Sequence, residues 1–191
     1  AIALHPNGRW LISGSLDETI KIWELGSGKV VQELTLVDGP IASVALSSDG
    51  RRLVAAYAKD RVRTWRLDKS AFLASLSGHE QTVIDVDFTN DSKFLVSASI
   101  DKTIKIWNLQ TRKVLRNYNT GNHVVQTVRF SPTNREFATG GADGLVLLWT
   151  TATGKIQQRL QGHVGKVNAL AFHPRDNTMV TGGSDKSWIL W

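Results

Sequence analysis

The chain has 191 residues, 41% of them hydrophobic, enough for a sizeable core. It contains no cysteine, which excludes a disulfide framework and a thiolate metal site, and no apolar run of about 18 residues that would span a membrane as a helix. Lys and Arg number 23 against 17 Asp and Glu, and the resulting +6 permits an acidic partner without requiring one. The opening AIALHPNG carries no signal-peptide pattern, and with the missing cysteines it points to an intracellular, cytoplasmic setting.

Internal repetition comes before any strand assignment. Trp23, Trp65, Trp107, Trp149 and Trp191 are each 42 residues apart. Leu4, Leu46, Phe88, Phe130 and Phe172 share that period, as do Val30, Phe72, Val114 and Ile156. The Trp-ending repeats run at about 1–23, 24–65, 66–107, 108–149 and 150–191.

Taken in chain order, the first repeat begins inside a strand and turns at HPNGR, residues 5–9. It then reaches SGSLDETIKIW at 13–23, where Ser13, Asp17 and Trp23 hold fixed offsets. The second repeat turns at SSDGR, 47–51, and keeps Trp65. Its other positions read Val37, Ala55 and Lys59 where polar groups stand elsewhere. The third is the clearest. Alternation over 83–88 predicts a strand, TNDSK a turn, FLVSAS at 94–99 a second strand, TIKIW at 103–107 a third and KVLRNY at 113–118 a fourth. The fourth repeat turns at SPTNR, 131–135, and carries Thr139, Asp143 and Trp149. It has Gly121 where the third repeat has His79, with His123 two residues on. The fifth carries His163, Thr181, Asp185 and Trp191 and ends before a fourth strand. Four short strands per period of about 40 residues predict an all-β propeller of four-stranded antiparallel blades. No helical period is visible.

These residues resemble the Trp-Asp (WD) repeat β-propellers. Gly78-His79 and Gly162-His163 match the family's Gly-His pair. Ser13, Ser97, Thr139 and Thr181 match its second-strand hydroxyl, and Asp17, Asp101, Asp143 and Asp185 its turn aspartate. The Asp that should follow Trp is replaced by Glu24, Arg66, Asn108 and Thr150. The family most often closes with about seven blades, so the resemblance implies that these five are a piece of a larger propeller. The remaining blades are expected from the same or another chain.

Ser, His and Asp together could suggest hydrolytic chemistry. Repeated on strand interiors, they instead predict a structural hydrogen-bond network. Trp donates only, hydroxyl and neutral His do both, and Asp accepts. His79, Ser97, Asp101 and Trp107 form the complete third set, and His163, Thr181, Asp185 and Trp191 the complete fifth. No catalytic residue, metal ligand or cofactor is expected. GSGKV at 26–30 and TGKI at 153–156 lack a phosphate-loop spacing.

Recognition remains, and the resemblance implies a protein–protein interaction scaffold. Candidates for the partner-binding face are Leu16, Tyr57, Lys59, Asp60 and Ile100 from the turns between second and third strands. Glu80, His123 and Lys166 would form a polar rim from the loops before the first strands. Tyr57 is expected to be exposed there, since every other repeat has Ser or Gly at its position. Two alternatives stand: polyanion binding (nucleic acid or an acidic tail) through Arg52, Lys59 and Arg61, or a structural subunit role.

Overall fold

A computed structural model describes residues 1–35, 39–58, 61–176 and 178–191. Val37, Lys59 and Asp60 lie outside the described residues. Five antiparallel sheets follow one another along the chain. Blade I holds β1 (Ile2–Leu4), β2 (Trp10–Gly14), β3 (Thr19–Glu24) and β4 (Lys29–Thr35). Blade II holds β5 (Ile41–Leu46), β6 (Arg52–Tyr57), β7 (Arg61–Arg66) and β8 (Ala71–Ser77), with a single 3-10 turn at Leu67–Lys69. Blade III holds β9 (Val83–Phe88), β10 (Phe94–Ser99), β11 (Thr103–Asn108) and β12 (Lys113–Asn119). Blade IV holds β13 (Val125–Phe130), β14 (Glu136–Gly141), β15 (Leu145–Thr150) and β16 (Ile156–Gln161). Blade V has three strands: β17 (Val167–Phe172), β18 (Met179–Gly183) and β19 (Trp188–Leu190). The expected all-β propeller is therefore present, and each third repeat strand falls where its motif placed it. A Trp-ending repeat cuts across two sheets, because its outermost strand pairs with the preceding Trp strand.

The pairing explains the Trp ladder. In blades I to IV the third and fourth strands slip register just before the Trp, at Ile22/Trp23, Thr64/Trp65, Ile106/Trp107 and Leu148/Trp149. A bulge there bends the strand and re-aims the following side chain. The large ring is thereby directed into the blade interface instead of along the strand.

Blades II, III and IV are each sandwiched between two others, so their middle strands are apolar on both faces rather than alternating. Ile12, Ile20 and Ile22 of blade I pack with Ile41, Val44, Leu53 and Trp65 of blade II. Val54, Val62 and Leu76 pack with Val83, Val86, Leu95 and Trp107 of blade III. Val96, Ile104 and Ile106 pack with Val125, Phe137 and Trp149 of blade IV, and Ala138 and Val146 with Val167, Leu170 and Met179 of blade V. The innermost strands pack in chain order, β1 on β5, β5 on β9, β9 on β13 and β13 on β17.

One polar cluster joins three of these inner strands. Asp85 accepts from Ser43 Oγ at 2.6 Å, Thr127 Oγ1 at 2.8 Å and the Val128 amide at 2.9 Å, and pairs with Arg129 at 2.6 Å. Ser43, Asp85 and Thr127 are 42 residues apart, so the same slot of three blades is tied together. At the two end blades apolar side chains face outward: Ile2 and Leu4 on β1, Val180 on β18, and Trp188 and Leu190 on β19 are exposed.

Candidate functional site

The network is built as the donor inventory requires. In blade III, Trp107 Nε1 donates to Ser97 Oγ at 2.7 Å, and that hydroxyl meets His79 Nε2 at 2.7 Å. His79 Nδ1 lies 2.8 Å from Asp101 Oδ2. Because the indole only donates, the Ser97 hydroxyl donates onward to His79, which leaves Nδ1–H for the carboxylate. Blade V repeats the chain, with 2.9 Å from Trp191 to Thr181, 2.8 Å from Thr181 to His163, and 3.0 Å from His163 to Asp185. Blade I keeps Trp23 on Ser13 at 2.8 Å. Each network lies within one blade, joining its strands to the loop before the innermost strand and the turn between the second and third. His79, His163, Ser97 and Thr181 are buried, and none offers an exposed nucleophile.

Blade IV corrects one expectation. His123, taken from the sequence as a rim residue, is buried and completes the fourth network. Its Nδ1 is 3.0 Å from Asp143, its Nε2 is 3.1 Å from Thr139 Oγ1, and Trp149 donates to that same hydroxyl at 2.9 Å. The displaced position is absorbed by a tight turn. The His123 amide bonds the Thr120 carbonyl, and Gly121 takes a left-handed φ of 62°. This turn brings the ring to its partners although it stands two residues late in sequence.

The carboxylates carry a partner that the motif comparison missed. Thr19, Thr103 and Ser187 donate side-chain hydroxyls to Asp17, Asp101 and Asp185 at 2.8, 2.6 and 2.7 Å. The signal was legible: these three share one slot of the 42-residue period, two after each Asp. Burial pushes the Asp101 carboxyl up, but Thr103, the Glu80 amide and His79 together hold it below the usual range. The Ser187 hydroxyl, followed by the Val164 amide, holds Asp185 well below that range.

Tyr57 corrects a second expectation. It is 1% exposed and belongs to the core between blades I and II, its ring 6.4 Å from Trp65. Burial pushes its phenol up to about 12. The other blades explain why. A Cβ on Gly141 would overlap His123 and Asp143, and one on Gly183 would overlap His163 and Asp185. The slot must be small wherever a His–Asp pair fills the space beside it. The second repeat has neither group in its sequence, and Tyr57 occupies that room. Its ring is a packing necessity, so it cannot serve as a surface anchor.

Other candidates behave differently. Leu16 is 79% exposed at the β2–β3 turn and Ile100 46% exposed at the β10–β11 turn. Glu80 and Lys166 are exposed in the loops before β9 and β17. Val164, at Glu80's position in the period, is 94% exposed beside them, and sequence comparison gave it no role. Of the proposed anion cluster, Arg52 and Arg61 do not meet, and Lys59 lies outside the described residues. Arg52 begins β6 and sits opposite Arg66, whereas Arg61 begins β7 opposite Ser77, at the other end of the blade. Six strand residues separate those ends by roughly 17 Å. Among the described residues, no group of three or more His, Cys, Asp or Glu is placed to hold a metal, and no helix is long and apolar enough to cross a membrane.

Comparison with known proteins matches the family described as WD domain, G-beta repeat, over residues 1–24, 70–108, 112–150 and 154–191. The longest unmatched stretch, 25–69, contains the first three strands of blade II, the repeat without the polar set. The chain is 53% identical over 45 residues to Nuclear distribution protein PAC1 of Scheffersomyces stipitis, covering 20% of this chain and 9% of that protein. It is 44% identical over 45 residues to the Ribosome biogenesis protein BOP1 homolog of Monosiga brevicollis, covering 24% and 6%. It is 55% identical over 29 residues to Pleiotropic regulator 1 of Homo sapiens, covering 15% and 6%. In each case the alignment spans less than a tenth of the relative's length.

Proposed function

Since this chain belongs to the WD domain, G-beta repeat (WD40) family, we propose that it is a non-enzymatic interaction scaffold. A protein or peptide partner would be held on the face formed by the turns between second and third strands and the loops before the innermost strands. The observation that supports this reading is a division of labour. The chemically capable His, Ser, Thr and Asp groups are consumed inside the blades, while Leu16, Ile100 and Val164 are left exposed on one face with Glu80 and Lys166 near them. Apolar anchors in a polar surround are how compact interfaces concentrate binding energy. The relatives named for nuclear distribution and ribosome biogenesis suggest an intracellular setting for such a partner.

The exposed apolar faces of β1 and β19 support a further part of the reading. Further blades, from the same polypeptide or a second one, would cover Ile2, Leu4, Trp188 and Leu190. Surface cross-linking of wild type against Leu16→Glu and Ile100→Glu, with thermal midpoints measured on the same samples, tests the face. Both variants should keep their midpoint and lose partner cross-links. Normal cross-linking by both would refute the assignment.

A further inference from the structure

The 42-residue period provides an internal control for surface chemistry, because the same groove recurs between successive blades. On the face opposite Leu16 and Ile100, the end of one blade meets the third-to-fourth-strand turn of the next. The groove between blades II and III encloses about 260 Å³ and is lined by Arg52, Arg66 and Arg112 over a floor that includes Leu73, Leu76 and Phe88. The groove between blades III and IV has Phe94 in place of Arg52 and encloses about 450 Å³. The next has Glu136 there. Arg66 corresponds to Asn108 and Thr150, and Arg112 to Gly154. Blade packing therefore does not demand these three guanidinium groups, since the sister grooves pack without them.

Arg112 adds a second, independent observation. It sits at a left-handed φ of 59°, where the equivalent turns of blades I and IV use Gly28 and Gly154 at 67° and 68° and that of blade II uses the short Ser70 at 48°. A long β-carbon side chain in that region strains the backbone. Its guanidinium has no hydrogen bond or ion pair among the described residues. Arg52 reaches only the Ser92 carbonyl, at 3.4 Å. Arg66 is held by Asp68 in a bidentate ion pair, Nε at 2.9 Å and Nη2 at 2.5 Å, which fixes its plane; Asp68 stands outside the lining, and no acidic side chain lines the groove.

We propose that this groove binds an anionic side chain of a peptide partner, phosphate or carboxylate, with a neighbouring apolar side chain seated on the Leu73–Phe88 floor. Converging guanidinium groups recognise such oxyanions through charge-assisted hydrogen bonds, and the apolar floor selects a peptide over a bare ion. This deepens the scaffold reading by adding a second, chemically defined surface. It also relocates the basic character of the second repeat, keeping Arg52 but pairing it with Arg66 and Arg112 in place of Lys59 and Arg61.

The test uses three synthetic octapeptide libraries with a fixed central dipeptide, phosphoserine-Leu, Glu-Leu or Ser-Leu, titrated by fluorescence anisotropy. The first two should bind and the third should not, and the stronger of the two identifies the anion. Arg112→Gly should weaken binding at least about tenfold, while its thermal midpoint stays level or rises because the left-handed strain is relieved. Arg52→Gln should weaken binding in the same direction, and Leu16→Ala should bind as wild type. Equal binding of all three libraries, or undiminished binding by Arg112→Gly, would overturn the proposal. Loss confined to Leu16→Ala would overturn it while leaving the opposite-face scaffold reading intact.

Discussion

Ser97→Ala is a small change with a large expected effect. The hydroxyl is fully buried and accepts the Trp107 indole while donating to His79, each at 2.7 Å. Removing it leaves two buried polar groups without that partner. At about 1–3 kcal/mol for each stranded group, the loss is roughly 2–6 kcal/mol. That is a sizeable share of the ~5–15 kcal/mol that holds a domain folded. Blade II shows what a coherent alternative looks like, with Ala55 in the hydroxyl slot, Val37 in the His slot and Tyr57 filling the space. Adding His79→Val to Ser97→Ala removes one of the stranded groups, while Asp101 loses His79 but keeps the Thr103 hydroxyl and the Glu80 amide, and adding Ser99→Tyr refills the volume. The triple variant should therefore be no less stable than Ser97→Ala alone, with a coupling energy of about 1–3 kcal/mol by a mutant cycle. Urea denaturation followed by Trp fluorescence measures each step. An unchanged midpoint in Ser97→Ala, or strictly additive losses down the series, would refute the shared-network account.

Tyr57→Ala should destabilise by about 3–5 kcal/mol, as an aromatic deleted from a core does, and calorimetry would show it. His123→Ala should lower stability by about 1–3 kcal/mol, comparable to His163→Ala, because both serve the same network; a silent His123→Ala would show blade IV to be independent of it. Asp87 predicts a pH signature. Burial, opposed by Arg129, pushes its carboxyl up to about 6, and Asp85 adds to the rise. The folded chain thus takes up a proton that the unfolded chain releases near pH 4. Stability from this site falls as pH rises from about 4 to 6, and the full penalty remains above that. Asp87→Asn should remove up to about 3 kcal/mol of that penalty at pH 8 and little at pH 4, read from midpoints across pH. The depressed carboxyls of Asp101 and Asp185 work in the opposite sense, contributing stability above about pH 4 that is lost as pH falls.

The sequence by itself determined the period, the number of strands in a blade and the polar chains of blades III and V. Each of these is a local pattern multiplied, and a strand, turn and strand within 25 residues leave a signature that repetition amplifies. Tertiary structure decided what lies between the copies. Tyr57 looked exposed because its slot holds Ser or Gly in every other repeat, but that smallness belongs to a neighbouring His–Asp pair. His123 looked displaced because the eye counts residues, whereas the Thr120–Gly121 turn sets where the ring arrives in space. Arg52 and Arg61, close in the sequence, part in space, since one short strand carries its ends to opposite faces. Arg112, 60 residues from Arg52, was brought to the same groove instead. A propeller buries its blades against one another, so its in-blade chemistry is written within each repeat. Its surface chemistry is written across repeats, where only packing shows which residues meet.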